Sequence, residues 1–267
     1  MKSYEALAAA LAAEGVDTVF GLLGNGVLDL SRELVDKHKI RFIAARHEEV
    51  AVGMADGYSR ATGRIGVAII CFGPGLANAA ASLLAARMSG SRLLAIVGGA
   101  VGEDPHNNMS YEQQPLLKAS VGDVVEALSP ATLKRDLSRC LSHLHHGTGP
   151  IALHYHNGRA EMPDGWSWHP TPAQAAPPLA PAPADIETLA ALIEQAERPL
   201  ILAGRGLYLA NGKTAASALA EAAGGLLATT LLTKNWLDDD PYCVGLSGGF
   251  SARGAARLLN EADLVVA

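Results

Sequence analysis

Short apolar strands that end in a glycine turn and run into a helix recur along this chain, and that alternation most constrains its fold. A strand over 18–22 leads through Gly24-Asn25-Gly26 to a helix over 27–36. A strand over 65–71 leads through Gly73-Pro74-Gly75 to a helix over 76–87, and a strand over 93–97 ends at Gly98-Gly99 before a loop to residue 108. Short apolar strands separated by helices predict an α/β fold: a mostly parallel sheet with helices on both faces. The glycines stand at the C-terminal ends of the strands, the edge where open α/β sheets bind ligands. Glycine there permits close backbone approach, and the helix that follows offers free amides. Singly, each turn is a weak signal, because tight turns need glycine anyway. No spaced GxGxxG and no GxxxxGK[ST] occurs, so Rossmann dinucleotide and P-loop readings both lose weight.

One junction between strand and helix carries charge. The run Arg41-Phe42-Ile43-Ala44-Ala45 turns through Arg46-His47-Glu48 into an amphipathic helix over 48–60 that closes at Gly63. Acids in a first turn suit the helix dipole, and glycine suits the C-cap. Glu48 is the candidate catalytic carboxylate at this junction, and Glu49 reads as a solvated first-turn acid. A helix over 4–14 opens the chain, and a helix over 131–146 with a strand over 151–154 completes a first unit over 1–162. Prolines at 163, 170, 172, 177, 178, 181 and 183 make 163–185 a semi-rigid linker. The alternation resumes over 186–267: helix 186–197, strand 199–203, Gly204-Arg205-Gly206, helix 213–223 and strand 226–230. The final run, 263–267, reads as a buried strand that stops. A domain of about 80 residues ending inside a strand is expected to be incomplete.

Composition excludes several classes. A net charge of -6 without a lysine or arginine cluster argues against nucleic acid and anionic membrane as partners. No apolar run reaches the length of a membrane span, and the N-terminus is unlike a secretory signal. Cys71, Cys140 and Cys243 are odd in number, far apart and in apolar surroundings, which predicts buried reduced thiols and a cytoplasmic location. His143, His145 and His146 fall in one helical stretch, while His154 and His156 share a strand face. No carboxylate or cysteine stands at ligand spacing beside them, so they read as solvated or capping groups and no metal ligand is expected.

Taken in order, Val16-Asp17-Thr18-Val19-Phe20-Gly21, Arg46-His47-Glu48, the run from Ala55-Asp56-Gly57-Tyr58 to Gly63, and Gly73-Pro74-Gly75-Leu76-Ala77-Asn78 resemble one family. It is the thiamine-diphosphate-dependent enzymes of the acetolactate synthase group, in their N-terminal pyrimidine-binding domain. The resemblance continues through Gly149-Pro150-Ile151-Ala152-Leu153 and, in a Rossmann-like central domain, through the stretch from Arg198 to Gly204 and Ala228-Thr229-Thr230. It implies a thiamine-diphosphate-binding fold followed by a truncated central domain.

In that family the glutamate matching Glu48 hydrogen-bonds a ring nitrogen of the cofactor's aminopyrimidine, which primes the cofactor to attack a 2-oxo acid. A carboxylate buried against such a ring is expected to have a raised pKa. Gly24, Asn25, Gly73, Pro74 and Asn78 match segments that line the cofactor, although Leu23-Gly24-Asn25-Gly26 departs from the family's usual proline-glycine-glycine. Gln113, in Tyr111-Glu112-Gln113-Gln114, matches a residue that reaches towards substrate; its alternative is a polar surface turn. Arg46 and His47 read as structural partners. The family holds magnesium through a Gly-Asp-Gly motif in a separate C-terminal domain, and no such motif occurs here. The chain is thus expected to supply half of a composite site, completed in a homo-oligomer, and to be inactive alone. FAD in the central domain stays open, since ordinary turns explain its glycines equally well. The implied function is carboligation or decarboxylation of a 2-oxo acid such as pyruvate. Alternatives are an oxalyl-CoA or benzoylformate-type decarboxylase, a pyrimidine-binding subunit of a two-subunit enzyme, and a non-catalytic interaction chain.

Overall fold

A computed structural model of the chain describes residues 1–99, 109, 111–146, 149–156, 158–170 and 180–267. Most of the loop expected up to residue 108 and the centre of the expected linker lie outside those residues. The chain divides into two compact units, Met1–Ala176 and Pro177–Ala267.

The first unit runs α1 (Ser3–Ala13), β1 (Thr18–Gly21), α2 (Leu28–Asp36), β2 (Arg41–Ala44), α3 (Glu48–Thr62), β3 (Gly66–Ile70), α4 (Pro74–Met88) and β4 (Leu93–Gly98). It continues with α5 (Gln114–Val121), β5 (Asp123–Ala127), α6 (Leu133–His146) and β6 (Ile151–Tyr155). Its six strands form one sheet in the order β2-β1-β3-β4-β6-β5, and every pair is parallel. Alternation along the strands sends side chains to two cores. Val67 and Ile69 pack with Leu7 and Leu11 of α1, Leu30 of α2 and Leu137 of α6. Ala68 and Ile70 pack with Val52 of α3, Leu76 and Leu83 of α4 and Leu117 of α5. Burying each such leucine contributes roughly 1.5–3 kcal/mol. Helices therefore cover both faces, as the pattern of short apolar strands requires. The chain passes from β1 to β2 on one side and to β3 on the other, so the switch point lies between β1 and β3.

The second unit comprises α7 (Pro183–Gln195), β7 (Pro199–Ala203), α8 (Arg205–Leu209), α9 (Lys213–Ala223), β8 (Leu226–Thr229), β9 (Cys243–Leu246), α10 (Arg253–Asn260) and β10 (Leu264–Val266). Its four parallel strands stand in the order β10-β7-β8-β9. Helix α7 starts at Pro183, three residues before the expected 186, because proline is well tolerated at the first helical position. Among the described residues, no helix is long and apolar enough to cross a membrane.

Candidate active site

Glu48 is the first residue of α3, delivered there from β2. His47 caps the helix from extended backbone, its Nδ1 accepting the Glu49 amide at 3.3 Å. The cap leaves Arg46 and Glu49 exposed while Glu48 turns inward, only 4% exposed. Two donors hold its carboxylate. The Cys71 thiol donates to Oε1 at 3.0 Å, and the Asn78 amide donates to Oε2 at 3.0 Å. Cys71 directly follows β3, and Asn78 lies in the first turns of α4. Backbone approaches closely on two sides. A Cβ on Gly75 would stand 2.9 Å from Glu48 Oε1, and one on Gly24 would stand 2.8 Å from Cys71 Sγ. Of the turns that flank the switch point, the one after β3 thus lies against the carboxylate and the one after β1 against its thiol donor Cys71.

Burial alone would raise the Glu48 pKa, but the Cys71 and Asn78 donors, its own amide and nearby His47 outweigh it, so the value falls below the ordinary one. The donors already in the protein favour the anion, whereas the expected rise concerned the carboxylate against the cofactor's ring. Burial, and then the carboxylate, push the Cys71 thiol up to about 12. A depressed carboxylate adds stability above its ordinary pKa of 4.5, and that stability is lost as pH falls through the lower folded value. Cys71→Val removes one donor and is expected to raise the folded Glu48 pKa. Carboxyl carbon NMR titration checks this, and a midpoint that stays put contradicts it.

The other expected site residues are distributed around this centre. Pro74 opens α4 and is exposed. Asn25 is exposed, with its Nδ2 3.7 Å from Met109 Sδ. Gly73 adopts φ +72°, and its N–H donates to Gln113 Oε1 at 2.9 Å. Gln113 is no surface turn, being only 6% exposed. Its Nε2 donates to the Gly98 carbonyl at 3.4 Å and lies 3.1 Å from His154 Nε2. So Glu48, Gly24 and Asn78 converge, Gln113 lies beneath the Gly73 turn, and Asn25 stays at the solvent edge. A separate cleft of about 320 Å³ on the same sheet edge is lined by Asn25, Gly26, Phe72, Gly99 and Arg159. Glu48 is not part of its wall.

Two groups escape a reading of the sequence. Cys71 reads there as an inert buried thiol, yet it is a hydrogen-bond partner of Glu48; its place two residues before Gly73 is the available signal. His154 is buried, not solvated, and it does have a carboxylate partner: Glu126 of β5, opposite it in register.

Comparison with known proteins finds matches to one enzyme family. The family model described as "Thiamine pyrophosphate enzyme, N-terminal TPP binding domain" matches residues 1–119, and its "central domain" counterpart matches 186–267. A protein of Methanocaldococcus jannaschii named "Probable acetolactate synthase large subunit" is 28% identical, the alignment covering 100% of this chain and 46% of that protein. The sulfoacetaldehyde acetyltransferase of Castellaniella defragrans is 26% identical over 100% of this chain and 45% of its own length. An acetolactate synthase of Mycobacterium bovis is 27% identical over 95% and 42% respectively. The chain spans under half the length of these curated relatives. Two models of one family match most of the chain, in the order and on the units the fold displays, and the chain belongs to the thiamine pyrophosphate-dependent enzymes.

Proposed function

We propose that this chain forms the pyrimidine side of a thiamine diphosphate site that acts on a 2-oxo acid, with pyruvate as the first candidate. The carrying observation is the buried Glu48 carboxylate at a helix N-terminus, lying against Gly75 and held by Cys71 and Asn78. The residues fit the group. Each carboxylate oxygen takes one of these side-chain donors and keeps acceptor capacity for a ring N–H. Gly75 admits the Glu48 carboxylate and Gly24 admits its Cys71 donor, where a Cβ would clash with either. When bound, the cofactor supplies a nucleophilic thiazolium carbon and an electron sink.

Glu48 holds or moves a proton at the ring nitrogen. Asn78 fixes the plane of its carboxylate. Cys71, protonated up to about 12, orients the carboxylate without competing as a nucleophile. A non-catalytic scaffold would have no use for a buried, hydrogen-bonded acid at this place. Magnesium and the diphosphate are assigned to a separate domain, and the site to a homo-oligomer. Two features of the outer helices support association. A Cβ on Gly53 or Gly57 of α3 would meet nothing within 4 Å among the described residues beyond its own helix, and Leu84 and Met88 of α4 are 46% and 79% exposed. Leu84→Glu is accordingly expected to move the sedimenting species from dimer towards monomer; an unchanged sedimentation coefficient contradicts that interface.

Similarity to a sulfoacetaldehyde acetyltransferase matches similarity to acetolactate synthases. The test is therefore a screen of pyruvate, other 2-oxo acids and sulfoacetaldehyde with the native gene product, thiamine diphosphate and magnesium. Cofactor-dependent carbon dioxide release from pyruvate supports the proposal, and turnover of sulfoacetaldehyde alone reassigns the substrate.

A further inference from the structure

A second polar cluster closes over the C-terminal ends of β5 and β6. His154 and His156 stand two residues apart on one face of that chain segment, and Glu126 pairs in register with His154. Glu126 Oε1 lies 2.9 Å from His154 Nδ1, and its Oε2 lies 3.2 Å from His156 Nε2. One ligand atom from each of the three residues falls within 4.8 Å of the others. Tetrahedral nitrogen and oxygen ligands bonded at 2.0–2.1 Å stand roughly 3.3 Å apart, so only a small closure of the rings is needed. The side chains of Glu126 and His156 are 24% and 18% exposed, so the cluster is part-buried and not sealed from solvent.

The surroundings are built for this cluster. A Cβ on Gly99 would stand 2.2 Å from His156 Nδ1, so glycine there admits the ring. Gln114 Nε2 donates to Glu126 Oε1 at 2.5 Å, while its own Oε1 is buried without a partner. Such an orphan calls for a water or an ion nearby.

We propose that Glu126, His154 and His156 form a binding site for a zinc-class divalent ion, with three protein ligands and an open fourth position. Hydrogen bonds define its metal-free form. The Gly73 N–H on Gln113 Oε1 and the Gly98 carbonyl near Nε2 fix the Gln113 amide, so Nε2–H points at His154 Nε2. His154 then carries its proton on Nδ1 and donates it to Glu126, while His156 donates from Nε2. Metal binding moves each histidine's single proton to its other ring nitrogen, with none gained or lost. Gln113 turns its oxygen to receive His154 Nε2–H, as outer partners of ligating histidines do; the Gly73 amide then loses its acceptor and the Gly98 carbonyl its donor. Occupancy is thereby coupled to the glycine turn beside Glu48. The site itself does not depend on the cofactor reading.

The test uses the purified chain with zinc alone, by calorimetry, and with cobalt as a visible probe. One saturable ion per chain is expected, with tetrahedral-type cobalt bands. Glu126→Gln and His156→Ala, both partly exposed positions where folding can be checked by circular dichroism, should each weaken binding more than ~10-fold. The Gly73 amide cross-peak should shift with the same zinc midpoint in the unsubstituted chain. Absence of saturable binding, or retention of it in either variant as a site at His143, His145 and His146 would give, overturns the proposal.

Discussion

Glu48→Gln is expected to lower thiamine-diphosphate-dependent turnover of the native gene product by about 10²- to 10⁴-fold, the range for loss of a positioned acid or base. The shape of the side chain is conserved, and so is most of its bonding. The glutamine amide can keep its oxygen on the Asn78 amide and turn its NH₂ to the Cys71 sulfur, a weak acceptor. The loss in stability should therefore stay near ~1 kcal/mol, one ordinary hydrogen bond. Steady-state rates beside a thermal melt separate the two effects. Turnover within threefold of the unsubstituted protein would remove Glu48 from the chemistry.

Gly66→Ala should have the largest effect on folding. A Cβ there would stand 2.1 Å from the Ala55 carbonyl oxygen and 3.3 Å from Ser59 Cβ, where α3 lies directly against the start of β3. The nearest atoms are α3 backbone and a Cβ, with no flexible side-chain end to give way, so the helix must lift from the sheet. Overpacking of this kind costs about 3 kcal/mol, which lowers the melting temperature of a unit this size by roughly 6–12 °C. Gly63→Ala is the control on the same helix: its φ is +71° but a Cβ would meet nothing within 4 Å. That change should cost about 1 kcal/mol. Calorimetric melts that rank the two variants the other way would contradict the close approach of α3 to β3. Because α3 carries Glu48, the larger lift should also disturb the site.

What the sequence makes legible here follows from range. Strands β1, β3 and β4 announce themselves as apolar runs with glycine behind them, and Glu48 stands out as an acid where a strand becomes a helix. Their reading needs only neighbours along the chain. Strand β5 does not announce itself, because it is an edge strand whose Asp123 and Glu126 break the apolar run. Its partner helix α5 is short and begins in the polar stretch Gln113-Gln114. With β5 unseen, Glu126 cannot be placed opposite His154, and the histidines read as unaccompanied. The direction of the Glu48 pKa is hidden for the same reason. Its two donors arrive from 23 and 30 residues away, through turns whose convergence depends on strand order. Local pattern gives the elements; pairing across the sheet decides the chemistry.

The most direct measurement of Glu48's role is exchange of the thiazolium C2 proton of thiamine diphosphate into deuterated water, followed by proton NMR with magnesium present. The native gene product is expected to accelerate that exchange strongly over free cofactor, and Glu48→Gln is expected to return it towards the free rate. Equal acceleration by both proteins would contradict the assignment of Glu48 to the aminopyrimidine.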